Sequence, residues 1–284
     1  MNILLTGATG FIGSYFLLTN QSYGITPFSF HYGEINNTDF ANHDAIVHLG
    51  AFVHQMNDAD PAEYEYINVI KTVELAKKAK KDGVKHFIFM STVKVYGEES
   101  DTVYTEITPC HPQDDYGKSK LHAELELQKL NAEHFIVSII RTPIVYGTGV
   151  KANIKNLIDL VCKVPILPFG NTKNCRSMVY VGNLCALIER VLEQRAKGIF
   201  LACDDTSLST TEFIRKIADS MEKKRYLIDI PLFEKLLKYL KPSFYKRLFE
   251  NLTVDNSLTK KQLNFSNPYS TDQGIWMMLH GEHK

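Results

Sequence analysis

The chain has 284 residues and balances 32 Lys+Arg against 32 Asp+Glu, a formal charge of zero. That length allows one large α/β domain, or a nucleotide-binding domain with a smaller appendage, and the neutrality excludes a general nucleic-acid binder, which needs a cationic surface to release counterions. With 44% hydrophobic and 23% charged residues it is neither disordered nor fibrous, and no apolar run reaches the roughly 18 residues of a membrane span.

Short apolar runs alternate with helical patterns through the first two thirds. Ile3–Thr6 reads as a buried strand, Gly13–Thr19 as a helix, Ile25–Tyr32 as a second strand and Ala45–Leu49 as a third. Glu63–Lys80 is helical, His86–Met90 a strand, Lys118–Asn131 a helix and Phe135–Arg141 a strand. This βαβα order predicts a Rossmann-type doubly wound parallel sheet, covered by helices on both faces, over residues 1–150. Beyond Gly147 the alternation weakens. Ile154–Val164, Asn183–Glu193 and Thr210–Met221 are helical, and residues 151–284 read as mainly a smaller substrate-binding domain, with a later strand free to return to the first sheet. It would complete a cleft over the carboxyl ends of the strands, where open α/β sheets bind ligands.

Thr6-Gly7-Ala8-Thr9-Gly10-Phe11-Ile12-Gly13 follows the first strand and opens the first helix. Gly7, Gly10 and Gly13 suit a tight turn, close backbone approach to a pyrophosphate and close helix–strand packing; with Thr9, Phe11 and Ile12 they form a dinucleotide-binding loop whose helix N-terminus faces the anion. An acid about 20 residues on usually bonds the adenosine ribose. Counting from Gly13 lands near Phe30-His31-Tyr32, and the nearest acid beyond is Glu34, which could reach the ribose or the adenine amine or be solvated; Glu34 and Ile35 are the candidate cofactor contacts here. A 2′-phosphate wants Lys or Arg, yet the first 70 residues hold neither and carry −7, against +7 in the remainder. NAD is therefore favoured over NADP.

Asp115-Tyr116-Gly117-Lys118-Ser119-Lys120 places Tyr116 and Lys120 one turn apart on one helical face. A phenol with a pKa near ~10 is a poor base at neutral pH. A neighbouring ammonium and a cationic nicotinamide both favour the phenolate, which could then take a proton from a substrate hydroxyl. Upstream, the His86–Met90 strand runs into Ser91-Thr92-Val93-Lys94-Val95-Tyr96-Gly97, which supplies a hydroxyl at the strand's carboxyl end.

Together these motifs resemble the extended short-chain dehydrogenase/reductase family, in its nucleotide-sugar epimerase/dehydratase branch. The likeness runs from residue 3 to about residue 265. It includes His48-Leu49-Gly50-Ala51, Asn68 with Thr72, Arg141 with Val145-Tyr146-Gly147, Arg176-Ser177-Met178-Val179-Tyr180-Val181 and Val254-Asp255-Asn256-Ser257. The resemblance implies that Thr92 is the catalytic hydroxyl with Ser91 supporting it, that Tyr116 is the acid/base, and that Lys120 holds the nicotinamide ribose. It implies cofactor contacts from Leu49, Gly50, Ala51 and Asn68, a diphosphate contact from Arg176, and a homodimer formed through a four-helix interface.

Departures from the family pattern narrow the chemistry. Family dehydratases carry an acid just after the catalytic hydroxyl, where this chain has Val93 and Lys94, which argues against dehydration. A customary substrate Asn is replaced by Ile144, and Lys151 and Asn153 are candidates to replace it, with Lys94 a further substrate contact. The family's His-Val-x-Asp is here Tyr180-Val181-Gly182-Asn183. The implied activity is 4-epimerisation of a UDP-hexose, in bacterial surface-polysaccharide synthesis. The alternatives are 4-keto reduction of a UDP-deoxy amino sugar with NAD(P)H or, outside the enzymes, a dinucleotide-binding regulator without turnover.

Five unpaired-looking cysteines suit a reducing, cytoplasmic setting, and no His/Cys/Asp/Glu cluster has metal-ligand spacing. Residues 222–250 hold eight Lys/Arg and four Asp/Glu interleaved with large apolar side chains. A lid helix packed over the substrate domain explains that pattern at least cost; weak contact with an anionic membrane surface is the competing explanation.

Overall fold

The computed structural model describes residues 1–29, 35–53, 60–98 and 102–281. Its strands are β1 Asn2–Thr6, β2 Gly24–Phe28, β3 Ala45–His48, β4 His86–Thr92, β5 Ile136–Thr142, β6 Ile144–Tyr146, β7 Ile166–Leu167, β8 Met178–Tyr180, β9 Gly198–Leu201 and β10 Tyr226–Leu227. The helices are α1 Phe11–Thr19, α2 Pro61–Tyr64, α3 Thr72–Lys81, α4 Asp115–Gln128, α5 Ala152–Lys163, α6 Val181–Gln194, α7 Thr210–Ser220, α8 Phe233–Leu240, α9 Pro242–Phe249, α10 Ser257–Leu263 and α11 Thr271–His280. A π-helical stretch, Glu65–Lys71, joins α2 to α3.

Six strands form one parallel sheet in the order β2-β1-β3-β4-β5-β9. Strand alternation sends Ile3, Leu5, Val47, Ile88 and Ile140 to a core shared with α1 and α6, and Leu4, Ile46, Phe87, Phe89 and Ile139 to a core shared with α3 and α4. Both faces are covered, so β4 is buried at every position. Pro27 is accommodated because β2 lies at the sheet edge. The chain leaves β1 for β2 on one side and returns to β3 on the other. This topological switch point opens a crevice at the carboxyl ends of β1 and β3.

The predicted boundaries shift where caps decide them. The helix expected over Lys118–Asn131 spans Asp115–Gln128, because Asp114 accepts a hydrogen bond from Gly117 N at 2.7 Å and starts it a turn earlier. Strand β4 extends through Ser91 and Thr92, and β2 ends at Phe28; the rest of the expected second strand, Phe30–Tyr32, lies outside the described residues. The β9 strand returns to the main sheet beside β5. Asn183, standing where the family pattern has an acid, donates to Asp204 at 2.7 Å, and Asp204 also accepts from Tyr180 N and the Tyr146 hydroxyl. The carboxylate is thus supplied from a different part of the chain, and burial raises its pKa. Among the described residues, no helix is long and apolar enough to cross a membrane.

Candidate active site

The glycine loop closes directly on the end of β3. Gly7 has φ +70°, and a Cβ there would lie 2.7 Å from Gly50 N and 2.8 Å from Leu49 C. A Cβ on Gly13 would lie 2.1 Å from Gly7 O, so only glycine lets α1 start this close to the loop. Gly10 caps α1 without a side chain, leaving the helix N-terminus to backbone N–H groups. This cradle fits the diphosphate of a dinucleotide. Gly13→Ala is expected to lower the melting temperature and abolish retention of NAD(H) through purification. Calorimetry and cofactor released by acid check both, and unchanged cofactor content would contradict the assignment.

A buried polar chain fixes the crevice from behind. Thr6 Oγ1 accepts from Gly50 N at 3.1 Å and meets His48 Nδ1 at 2.7 Å; His48 Nε2 meets Thr72 Oγ1 at 3.0 Å. If Thr6 donates to Nδ1 and Nε2–H donates to Thr72, every partner is satisfied with a neutral ring. Burial, then the Lys120 charge, hold the His48 pKa well below its usual value. His86 is a second buried imidazole, bonded to Ser138 Oγ at 2.7 Å and lowered by burial to about 4. Between about 4 and the ordinary 6.5 the unfolded chain therefore binds more protons than the folded one. Stability should fall progressively as pH drops through that window. Melting curves from pH 7 to 4 test this, and His86→Gln should flatten the dependence.

Tyr116, in the first turn of α4, faces Thr92 at the end of β4 across one cleft of about 390 Å³. Its walls include Lys94, Asp114, Ile144, Asn153, Arg176 and Lys246. Gly117 permits this closeness, since a Cβ on it would meet Lys94 O at 2.9 Å. Burial, then the Asp114 carboxylate, raise the Tyr116 phenol above its ordinary pKa, so the side chain stands protonated. Lys120 is buried one turn on, its Nζ 4.0 Å from the centre of the Phe89 ring. Burial pushes it down to about 7, against the opposing pull of Glu124. Lys120 stands one turn from Tyr116 on the same helix, so an ammonium there would favour a phenolate at Tyr116.

Several predicted contacts occupy different places. Ser91 alternates away from Thr92 and donates to Glu124, which holds Arg141 through Nε and Nη2; Arg141 Nη1 in turn donates to Tyr96 Oη at 2.7 Å. Ser91 therefore touches a buried ion pair behind the cleft. Asn68 lies behind the Ala51–Phe52 loop: its amide accepts from Phe52 N at 2.8 Å and donates to Phe52 O and Ser119 Oγ. Both amide protons are used, so it shapes the crevice through the loop. Ile35 is 2% exposed in the core, and its side chain is spent there. Glu34 lies outside the described residues.

On the substrate side, Lys94 lines the cleft but pairs with both Glu98 and Asp114, so those three side chains together carry −1. Arg176 Nη1 donates to the Glu250 and Lys246 carbonyls at 2.9 and 3.3 Å, binding it to the end of α9. Asn153 enters the cleft, whereas Lys151 is exposed at the N-cap of α5. Next to the cleft lies an apolar pocket of about 130 Å³, sharing Ile144, Asn153 and Arg176 and lined also by Phe169, Phe244 and Leu248. Sequence reasoning missed Asp114 and Glu124. The spacing of four that links Tyr116 to Lys120 continues to Glu124, and that was the available signal.

A switch-point sheet, a glycine cradle and a Tyr/Lys pair beside a strand-end hydroxyl define a dinucleotide-dependent oxidoreductase of the Rossmann type. Residues 3–202 match the NAD dependent epimerase/dehydratase family, and the chain belongs to it. It is an enzyme, and its cofactor is NAD. The chain is 38% identical to a UDP-glucose 4-epimerase from Vibrio cholerae, over 96% of this chain and 93% of that one. It is 27% identical to an N-acetyl-alpha-D-glucosaminyl-diphospho-ditrans,octacis-undecaprenol 4-epimerase from Escherichia coli O157:H7, over 99% and 95%. The fold matches that of a UDP-glucuronic acid 4-epimerase from Bacillus cereus in complex with NAD, with a TM-score of 0.77 and 21% identity over 99% and 98%.

Proposed function

We propose that this enzyme interconverts the C4 epimers of a UDP-hexose. The observation that carries the reading is the convergence of Thr92, Tyr116, Asn153 and Arg176 on one cleft above the ends of β4 and β5, in a family member with an intact glycine cradle. Bound NAD supplies the hydride acceptor and donor, held by Gly7, Gly10, Gly13 and the Leu49–Ala51 turn. Tyr116 takes the proton of the 4-hydroxyl as C4 is oxidised, and returns it when the 4-keto sugar is reduced on its other face. The Thr92 hydroxyl bonds the same oxygen. Lys120 holds the nicotinamide ribose and, as an ammonium, stabilises the Tyr116 phenolate. Arg176 and Asn153 orient the sugar diphosphate. A homodimer would use the outer faces of the Glu65–Lys71 stretch, α3 and α4, where Val69, Ile70, Val73 and His122 line a groove. Residues 151–284 contribute mainly the substrate side, and a reducing cytoplasmic setting suits the five free thiols.

A second reading, a sugar carried on a lipid diphosphate, is favoured by the apolar pocket that Phe169, Phe244 and Leu248 set beside the cleft. The test is turnover of UDP-glucose, UDP-galactose, their N-acetyl forms and a polyprenyl-diphosphate sugar, with products resolved by NMR. Epimer formation without net cofactor change is expected. Stoichiometric consumption of NADH or NADPH by a 4-keto sugar would make it a reductase instead, and no turnover of any kind would overturn the reading.

A further inference from the structure

Eight of the twenty large hydrophobic side chains exposed among the described residues fall between Tyr226 and Phe244. The α8–α9 hairpin is anchored from beneath: Phe233 packs edge-on against Phe169, with ring centres 6.0 Å apart, and Phe249 meets the same ring at 6.2 Å. On the outside α8 buries nothing. Leu232 is 70% exposed, Leu236 56%, Tyr239 85% and Leu240 63%. Lys223, Lys224, Lys235, Lys238 and Lys241 are exposed on the same stretch. Two of them fold over aromatic rings, Lys224 over Tyr226 and Lys238 over Tyr245.

We propose that this hairpin is a docking surface for an anionic lipid bilayer. Apolar side chains and lysines interleaved on one short amphipathic helix match the two layers of a membrane interface. Leu232, Leu236 and Leu240 would enter the acyl boundary while the lysines extend to the headgroup phosphates. A second copy of this chain fits less well. Across a two-fold axis the lysines would face their own counterparts, and lysine is depleted from interfaces between proteins. Position adds to the case. Phe244, on α9, lines the apolar pocket, and Lys246, two residues further, lines the catalytic cleft. A bilayer at α8 therefore stands at the mouth of the site. This deepens the lipid-diphosphate reading, but the docking itself does not depend on it.

The experiment is co-sedimentation of the full chain with vesicles of phosphatidylcholine plus phosphatidylglycerol, against vesicles of phosphatidylcholine alone. Binding to the anionic vesicles is expected, weakening as salt rises. Changing Lys235, Lys238 and Lys241 to Gln should weaken it on the order of a hundredfold. The pair Leu236→Glu and Leu240→Glu should abolish it while leaving turnover of soluble UDP-sugars at the wild-type rate, since neither residue lines the site. Sedimentation that is absent, or equal for wild type and both variants, would overturn the proposal. So would light scattering showing that the Leu→Glu pair only splits a larger assembly of this chain. Turnover is read separately from sedimentation, so failure of the epimerase reading stays distinguishable from failure of docking.

Discussion

Tyr116→Phe should lower kcat by about 10²–10⁴-fold while leaving the melting temperature and the bound cofactor close to wild type. The substitution removes one oxygen and keeps the ring, which packs against Tyr64 with centroids 6.3 Å apart. What disappears is the group proposed to move the substrate proton. In the enzyme the phenol is held protonated by burial and by Asp114, and the same burial weakens the ammonium of Lys120. The protonated phenol alone is a poor base at neutral pH, and a charged Lys120 supplies the positive charge that a phenolate there needs. Epimerisation rates followed by NMR, with cofactor content measured in parallel, separate this from a binding defect. Turnover within a factor of a few of wild type would remove Tyr116 from the proton-transfer role.

Glu124→Ala should cost about 3–5 kcal/mol of stability, because it leaves the Arg141 guanidinium buried without its counter-charge. The two side chains are 0% and 4% exposed. They are joined by hydrogen bonds from Arg141 Nε and Nη2, with Ser91 donating to the same carboxylate. For a protein of this size the loss corresponds to a fall of roughly 10 °C in melting temperature. Replacing both partners together, Glu124→Leu with Arg141→Met, should recover most of it, since the penalty lies in the orphaned charge. Activity should fall in the single variant as well. The bridge ties α4 to the carboxyl ends of β4 and β5, and so sets Tyr116 and Lys120 against Thr92. A double-mutant cycle in calorimetry gives the coupling, and additive effects would show that the pair contributes nothing as a pair.

How far the site was legible follows from the range of each interaction. The cofactor loop, the Tyr116/Lys120 pair and the hydroxyl of Thr92 each lie within one element or at its end, where spacing alone places side chains on a common face. The Ser91, Asn68 and Lys94 assignments were less complete because the partners that claim those side chains come from elsewhere in the chain. Glu124 takes Ser91, Phe52 and Ser119 take Asn68, and Asp114 with Glu98 takes Lys94. Arg176 combines both situations, lining the cleft while its Nη1 is bonded to α9 carbonyls. The basic amphipathic stretch was visible as a pattern; which of its apolar residues stay outside was not.

The formal charge of zero illustrates the same division. The sequence by itself determined that the first 70 residues carry no cation, and hence that their own part in holding a dinucleotide diphosphate can come only from backbone N–H groups and a helix end. It also determined the parallel sheet, because runs buried on both faces alternate with helices. Only the tertiary structure decided how the later positive charge is used. Lys94 is neutralised by two carboxylates, Lys120 is driven toward neutrality by burial, Arg141 is spent on Glu124, and the lysines of α8 remain in solvent. A charge acts through its distance to other charges and to water, and those distances exist only once the chain has folded.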